Sequence, residues 1–145
     1  MLFGRRNRIV KRILVVEDEP LTAFDNETML TDLGYEVVAT LDSFEDAIAK
    51  LESEIIDLVL SDYRLSSERT GIDLAKAAKK RGVPILFATG HRLPSESLDL
   101  ALGCIAKPYT ERILKRALDS VDRHLSGETV KPSKGVEIFP KALEG

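Results

Sequence analysis

Short apolar runs rich in β-branched residues alternate along this chain with segments whose apolar residues recur at helical spacing. The runs predict five strands, at residues 13–16, 37–39, 58–61, 85–88 and 103–106. Nearly continuous apolar strands are buried on both faces, as in a parallel sheet covered by helices. The alternation therefore predicts an α/β fold, with a doubly wound five-stranded parallel sheet. Of the orders that such sheets adopt, we assume 2-1-3-4-5, the flavodoxin-like one.

A helix is predicted after each strand. The first helix has apolar or weakly polar residues at helical spacing, namely Leu21, Phe24, Thr28, Met29 and Leu33. Gly34 follows them where a left-handed cap is needed. Ser43 and Asp46 resemble a capping box that opens the second helix. The third helix is expected from Gly71, and the last two at residues 95–102 and 109–125.

Charge is distributed unevenly along the 145 residues, a length that suits one domain. The formal net charge is −3, although five basic residues precede the first acidic one. We interpret residues 1–11 as a basic leader, 12–126 as the folded domain and 127–145 as a tail that either docks or stays mobile. A basic leader could contact nucleic acid or anionic lipid, but a short cluster without interleaved aromatic residues favours a solvated terminus, so we expect neither partner.

Cysteine content and hydropathy indicate the compartment. Cys104 is the single cysteine, so the chain cannot form an internal disulfide, and its two scattered histidines do not suggest a zinc site. No apolar run approaches the ~18 residues of a membrane-spanning helix. We therefore expect a cytoplasmic protein.

Carboxylates follow two of the predicted strands. Glu17 and Asp18 come directly after the first strand, and Asp62 comes after the third. In such sheets, ligand-binding and active sites lie at the carboxyl ends of the strands. Neighbouring carboxylates repel each other unless a hard divalent cation neutralises them. The pattern predicts a Mg²⁺ site at which Asp62 acts as the nucleophile of a phosphoryl transfer.

Two further strand ends supply the other groups that phosphoryl transfer needs. Thr89 ends the fourth strand and Lys107 follows the fifth, and a hydroxyl and an ammonium group suit the oxygens of a transferred phosphoryl group. The bond between Lys107 and Pro108 is a candidate for the cis form. Each residue alone also fits an ordinary turn or a solvated surface, but their joint placement favours the functional interpretation.

From about residue 12 to residue 125, the sequence resembles the receiver domain of bacterial two-component response regulators. The matching motifs are Leu14-Val15-Val16-Glu17-Asp18-Glu19-Pro20, Asp57-Leu58-Val59-Leu60-Ser61-Asp62, Phe87-Ala88-Thr89-Gly90 and Ala106-Lys107-Pro108-Tyr109. The resemblance implies an aspartyl-phosphate switch rather than a classical enzyme, with self-catalysed phosphorylation and dephosphorylation only. It implies that Asp62 takes the phosphoryl group from a sensor histidine kinase or a histidine phosphotransfer protein.

The same resemblance assigns a role to each site residue. Asp18, Asp62 and the backbone carbonyl of Arg64 would ligate Mg²⁺, and Glu17 would act through a bound water. Thr89 would reorient toward the phosphoryl group. One oxygen of that group would be held by Lys107.

Several positions depart from the usual receiver pattern. Many receivers carry an aromatic switch residue three positions before the lysine, where this chain has Cys104. The loop at residues 63–71 is one residue longer than the usual spacing and lacks the common proline. Phe87-Ala88-Thr89-Gly90 also resembles single-domain stress-response regulators nicknamed FAT GUY. In that setting His91 and Arg64 would flank the path of hydrolytic water and tune the phosphate lifetime.

The expected function is that of a stand-alone receiver, because no recognisable output module follows Leu125. By resemblance, phosphorylation would promote binding of a downstream protein at the face of the fourth helix, fifth strand and fifth helix, and the same face could support a homodimer. A phosphoryl shuttle or phosphate sink in a phosphorelay is the main alternative.

Two further alternatives fit the sequence less well. An Asp-nucleophile phosphatase usually needs an acid two residues after the nucleophile, where this chain has Arg64. A flavodoxin-like cofactor binder would need a phosphate-cradling loop after the first strand. The acidic run of residues 17–19 would instead repel phosphate.

Overall fold

Six strands and five helices make up the part of the chain that this computed structural model describes, residues 8–65 and 70–140. The elements are β1 (Arg12–Val16), α1 (Pro20–Asp32), β2 (Glu36–Leu41), α2 (Phe44–Ser53), β3 (Leu58–Asp62), α3 (Gly71–Lys80), β4 (Ile85–Thr89), α4 (Ser97–Leu100), β5 (Gly103–Ala106), α5 (Glu111–Leu125) and β6 (Val136–Ile138). The first five strands are parallel, and the sheet order is β2-β1-β3-β4-β5-β6. The predicted α/β fold and the order 2-1-3-4-5 are confirmed, with β6 added at the edge.

The sheet lies between two helical layers because its strands are apolar on both faces. In β1, Ile13 and Val15 belong to the hydrophobic cluster that includes residues of α1 and α5. Leu14 and Val16 belong to the cluster that includes residues of α2 and α3. All four side chains are buried, as expected for a strand in the middle of a parallel sheet.

Helix α1 carries apolar residues on two faces. At 3.6 residues per turn, Leu30 and Leu33 lie on one face of the helix and Leu21 and Phe24 on the opposite one. Leu30 is buried and Leu33 packs against the same cluster, whereas Leu21 is 75% exposed and Phe24 is 68% exposed. The helical spacing was therefore correct, but Leu21 and Phe24 do not contribute to the core.

The last two helices begin and end inside their predicted bounds. α4 covers only Ser97–Leu100 because Pro94 and the following residues form a turn, in which the Ser97 N–H donates to the Pro94 carbonyl at 3.0 Å. α5 begins at Glu111, and the Thr110 hydroxyl caps it by accepting from the Ile113 N–H at 3.2 Å. Its inward residues include Leu114, Ala117, Leu118 and Val121, as predicted, whereas Ile113 is only partly buried.

The tail docks on the sheet. β6 pairs antiparallel with β5, joining Gly103 to Ile138, Cys104 to Glu137 and Ile105 to Val136. Phe139 follows the strand and is 4% exposed. Of the two outcomes that we expected for the tail, docking is the one observed, through residues 135–139.

Some predictions concern residues outside the described ranges. These are the first part of the basic leader, the centre of the long loop after Asp62 and the last five residues of the tail. In residues 8–65 and 70–140, no helix has the length and apolar character needed to cross a membrane.

Candidate functional site

Four parallel strands bring their carboxyl ends to one edge of the sheet. The register pairs Val16 with Ser61, Asp62 with Ala88, and Thr89 with Ala106. Glu17, Asp62, Thr89 and Lys107 therefore lie at the same edge. This convergence follows from the parallel order, because each of these residues ends its strand or directly follows it.

Three carboxylates form an acidic cluster at this edge. Glu17, Asp18 and Asp62 each place an oxygen within 4.8 Å of the others. Glu17 is 3% exposed and more deeply buried than Asp18, and its carboxylate accepts from the Glu19 N–H at 3.1 Å. Burial raises the pKa of Glu17, outweighing the opposing effects of the Glu19 N–H and the Lys107 ammonium group.

Lys107 is the cation that balances part of this cluster. Its Nζ donates to Glu17 Oε1 at 3.0 Å and to Asp62 Oδ2 at 3.3 Å. Burial opposes the charged ammonium group, but the hydrogen bond to Glu17 and the negative charges of both partners give Lys107 a raised pKa. One ammonium group beside three carboxylates leaves an excess of acidic groups, and oxygen ligands of this kind suit a hard divalent cation. The Lys107–Pro108 bond is cis, in line with its candidacy from the sequence.

The Thr89 hydroxyl is engaged by His91 in this structure. Thr89 Oγ1 donates to the His91 carbonyl at 3.0 Å and accepts from the His91 N–H at 3.0 Å. Thr89 is still linked to the lysine, because the Lys107 N–H donates to the Thr89 carbonyl at 2.9 Å. The sequence located Thr89 at the correct edge but did not predict this local turn.

Arg64 and Cys104 occupy different surroundings. The Arg64 N–H donates to Asp62 Oδ1 at 3.1 Å, so the loop after β3 touches the acidic cluster through its main chain. Cys104 lies in the middle of β5 on the side of α3, half-buried in the cluster that also contains Phe87 and Phe139. Burial, and then the charge of Glu137, raise the pKa of its thiol to about 11.

A partly buried hydrogen bond beside the site was not predicted. The Tyr109 hydroxyl donates to Oδ1 of Asn26, a buried residue of α1. Burial and the nearby negative charge of Glu17 raise the Tyr109 pKa above its ordinary value. This bond joins α1 to the segment that carries Lys107. The sequence could have indicated the buried position of Asn26, because helical spacing places it on the same face of α1 as Leu30 and Leu33.

A groove of about 760 Å³ extends from the site along β5. Its lining includes Thr89 and Lys107 of the site, Cys104 of β5, and Val136 and Phe139 of the tail. Thr89 and Lys107 therefore line the same groove as the docked tail.

Comparison with known proteins agrees with this geometry. Residues 13–119 match the family model described as the response regulator receiver domain. The chain is 35% identical over 121 residues to the sensory transduction protein LytR of Staphylococcus haemolyticus, covering 79% of this chain and 46% of LytR. It is 31% identical over 140 residues to the transcriptional regulatory protein PdtaR of Mycobacterium tuberculosis, covering 89% of this chain and 68% of PdtaR.

Solved structures give the same answer. The N-terminal domain of a response regulator/sensory box/GGDEF protein from Carboxydothermus hydrogenoformans superposes with a TM-score of 0.72 at 28% identity, covering 81% of this chain and 98% of that one. The chain spans about half the length of LytR and about two thirds of PdtaR. Fold, register and family model together show that the chain belongs to the response regulator receiver family.

Proposed function

We propose that this receiver accepts a phosphoryl group on Asp62 from a phosphohistidine donor and signals by binding a downstream protein. The observation that carries the proposal is the pairing of Lys107 Nζ with both Glu17 and Asp62, at 3.0 and 3.3 Å. A carboxylate beside a lysine and two further acids matches the needs of an acyl-phosphate site, where charge neutralisation is the main catalytic requirement.

Receiver domains bind Mg²⁺ at an acidic pocket, and the acidic cluster of this chain suits that cation. We propose that Asp18, Asp62 and the carbonyl of Arg64 hold Mg²⁺, with Glu17 acting through a water molecule. Bound Mg²⁺ would supply positive charge to the phosphoryl oxygens. Glu17 and Asp62 would then be shared between Lys107 and the metal rather than held by Lys107 alone.

Phosphoryl transfer then requires few movements of the protein. A carboxylate oxygen of Asp62 attacks phosphorus, the bond from phosphorus to the donor histidine nitrogen breaks, and the electron pair stays on the imidazole. Lys107 contacts one phosphoryl oxygen. Thr89 exchanges its bond with the His91 carbonyl for a bond to the phosphoryl group, and this exchange is the first step of the conformational response.

Three further side chains would adjust the lifetime and the response. His91 and Arg64 flank the acidic edge, so we assign them to control of the hydrolytic water. Cys104 replaces an aromatic residue on β5, so the response of Thr89 is not transmitted through a ring at that position. We also retain assignment to the single-domain FAT GUY sub-type, which rests on the Phe87-Ala88-Thr89-Gly90 motif.

Two surfaces would serve the partners of this cytoplasmic receiver. Leu21 and Phe24 are exposed apolar residues at the start of α1, shortly after the acidic residues that follow β1, and they suit docking of a histidine kinase or a phosphotransfer protein. The face formed by α4, β5 and α5 would bind the downstream protein, or a second copy of this chain in a homodimer. We expect neither a nucleic acid nor a membrane as a partner.

A second candidate function is a phosphoryl shuttle or phosphate sink. The observation that favours it is the docked tail, because β6 covers the outer edge of β5 in this conformation. A phosphorylated shuttle would return its phosphoryl group to a phosphotransfer protein within seconds to minutes, whereas a signalling receiver would bind its partner without losing it.

The test is the intact mass of the protein after exposure to acetyl phosphate or phosphoramidate. We expect one added phosphoryl group in the presence of Mg²⁺ and none in its absence. Asp62→Asn keeps the shape of the side chain but removes the nucleophile, so it should take up nothing. Asp99→Asn, on the exposed side of α4, is the matched control and should behave as wild type. Normal uptake by Asp62→Asn would refute the assignment.

A further inference from the structure

We propose that the outer edge of β5 is a docking site for an extended apolar segment of a partner protein, and that residues 136–139 of this chain occupy it as an intramolecular competitor. The inference rests on the proposed output function and names the chemistry of the partner. Such a partner would add a strand to the sheet antiparallel to β5.

The edge of β5 is shaped for the close approach of another main chain. A Cβ atom on Gly103 would lie 2.2 Å from the Glu137 carbonyl oxygen and 3.0 Å from the Cα of Ile138. Gly103 does not have a positive φ angle, so β5 itself does not need glycine at this position. The missing side chain instead makes room for the strand that pairs with it.

Main-chain hydrogen bonds continue beyond the three paired residues of β6. The Ala106 N–H donates to the Gly135 carbonyl at 2.8 Å, and the Phe139 N–H donates to the Leu102 carbonyl at 2.9 Å. Most of the contact therefore uses backbone groups, which any extended segment can supply. Recognition of this kind gives affinity without demanding a particular sequence.

Two side chains supply the selectivity. Val136 is 7% exposed and joins the cluster on the side of α5, whereas Phe139 is 4% exposed and joins the cluster on the side of α3. Glu137 between them is exposed. The expected partner segment thus presents an aliphatic residue and, three positions later, an aromatic residue.

The position of the tail couples this edge to the phosphoryl site. The carbonyl of Gly135 is bonded to Ala106, the residue that directly precedes Lys107. The groove along β5 also reaches Thr89. A displacement of Lys107 or Thr89 toward a phosphoryl group therefore acts on the end of the β5–β6 pairing, and a three-residue strand has few contacts to lose.

The occupant is a partner protein rather than a second copy of the chain. The tail of a second copy would make the same contacts as the resident tail, so exchange would gain no new interaction. The resident tail also has the advantage of its tether, which gives it an effective concentration in the millimolar range. Only a segment with better anchors, or a change that weakens the resident tail, would shift the balance.

The test uses a fluorescent peptide with the sequence of residues 133–140, titrated to millimolar concentration into the full-length protein. In Phe139→Ala the resident tail loses its aromatic anchor, so we expect the peptide to bind about tenfold tighter than to wild type. In Gly103→Ala the added methyl group closes the edge, so binding should be lost. Ile55→Ala, at an exposed apolar residue remote from β5, should behave as wild type.

Circular dichroism and phosphoryl uptake establish that each variant is folded. Failure of the peptide to bind Phe139→Ala, or equal binding by Gly103→Ala, would overturn the proposal. So would a dimer in light scattering that the peptide dissociates, because the occupant would then be a second copy. In wild type treated with acetyl phosphate, tighter peptide binding supports the coupling. If the mass shows no phosphoryl uptake, the proposed function is refuted instead. The peptide titration of Phe139→Ala then still tests whether the β5 edge is a docking site.

Discussion

The acidic site and the β5 edge meet at Ala106 and Lys107, but they are held together by opposite kinds of interaction. The acidic site gathers charged groups from separate strands, and one ammonium group faces three carboxylates, pairing with two of them. The β5 edge uses main-chain hydrogen bonds and two buried apolar side chains from one short segment. The first region has an excess of like charge, whereas the second has its polar main-chain groups paired.

This difference indicates how each region responds to change. A site with excess acidic groups gains stability when a cation binds, so under the proposed function its state depends on Mg²⁺ and on the phosphoryl group. A satisfied edge gains nothing from an added ion and changes only when another segment replaces the resident one. Under the two proposals, the receiver combines an ion-sensitive input with an output surface governed by competition.

The largest effect is expected from Asp18→Asn, which removes one charge from the acidic site and none from the β5 edge. We expect Mg²⁺ affinity to fall on the order of a hundredfold and phosphoryl uptake to fall with it. Isothermal titration with Mg²⁺ measures the first change and intact mass the second. Unchanged Mg²⁺ affinity would mean that Asp18 is not a ligand of the metal. A changed affinity for the tail peptide would mean that the acidic site and the β5 edge are not independent.

The next largest effect is expected from Lys107→Ala, which should change two properties of the acidic site in opposite directions. Mg²⁺ affinity should rise severalfold, because the ammonium group no longer competes for Glu17 and Asp62. Some phosphoryl uptake should remain, at a rate reduced by roughly tenfold to a hundredfold, because one phosphoryl oxygen loses its partner. Phosphorylation should also release less of the tail than in wild type, and binding of the tail peptide measures this release. Weaker Mg²⁺ binding in the variant would contradict the proposed competition between Lys107 and Mg²⁺ for these carboxylates.

Cys104 reports the state of the β5 edge through its pH dependence. The thiolate is the reactive form, and a pKa of about 11 leaves about a hundredfold less thiolate near pH 8 than the usual value of 9.0 would give. Because a thiol of higher pKa is also more nucleophilic, we expect alkylation about tenfold slower than in urea-unfolded protein. The rate should keep rising until the pH approaches 11. Glu137→Gln removes a nearby negative charge and should shift the curve slightly to lower pH.

The smallest effect is expected from Tyr109→Phe, at the hydrogen bond that joins α1 to the Lys107 segment. The variant leaves buried Asn26 Oδ1 without this donor, which costs about 1–3 kcal/mol of unfolding free energy. Urea unfolding followed by circular dichroism measures the loss. Tyr63→Phe, at a less deeply buried ring, should change stability by no more than about 0.5 kcal/mol. Equal losses in both variants would mean that the Asn26 bond contributes no specific stabilisation.

Much of the acidic site was predictable because it depends on a topological rule. Once the apolar runs indicated parallel strands, residues at their carboxyl ends had to converge, and Glu17, Asp62 and Lys107 do so. The strand order, in contrast, was assumed, because doubly wound sheets with other orders show the same alternation of strands and helices. No comparable rule exists for a local turn, so the bond between Thr89 and His91 was not predicted.

The β5 edge was less predictable for physical reasons. A strand of three residues has too few positions for its periodicity to be distinguished from chance, and its pairing depends on the bare backbone at Gly103. Residues 136–139 therefore suggested a tail without saying where it would lie. The apolar pattern predicted for α1 placed Leu21 and Phe24 with Leu33, although at 3.6 residues per turn they lie on opposite faces of the helix.

Because α1 has one buried face and one exposed apolar face, residues on the exposed face can change without affecting the folding of the protein. Leu21 and Phe24 are largely solvated, so replacing either with a polar residue removes little buried area and leaves the core intact. In a mutational scan that records cellular abundance and signalling separately, polar substitutions at these positions should leave abundance unchanged. Substitutions at Leu30 should lower both readouts together. The same helix would then carry one set of positions selected for persistence of the protein and another selected for the partner that it meets.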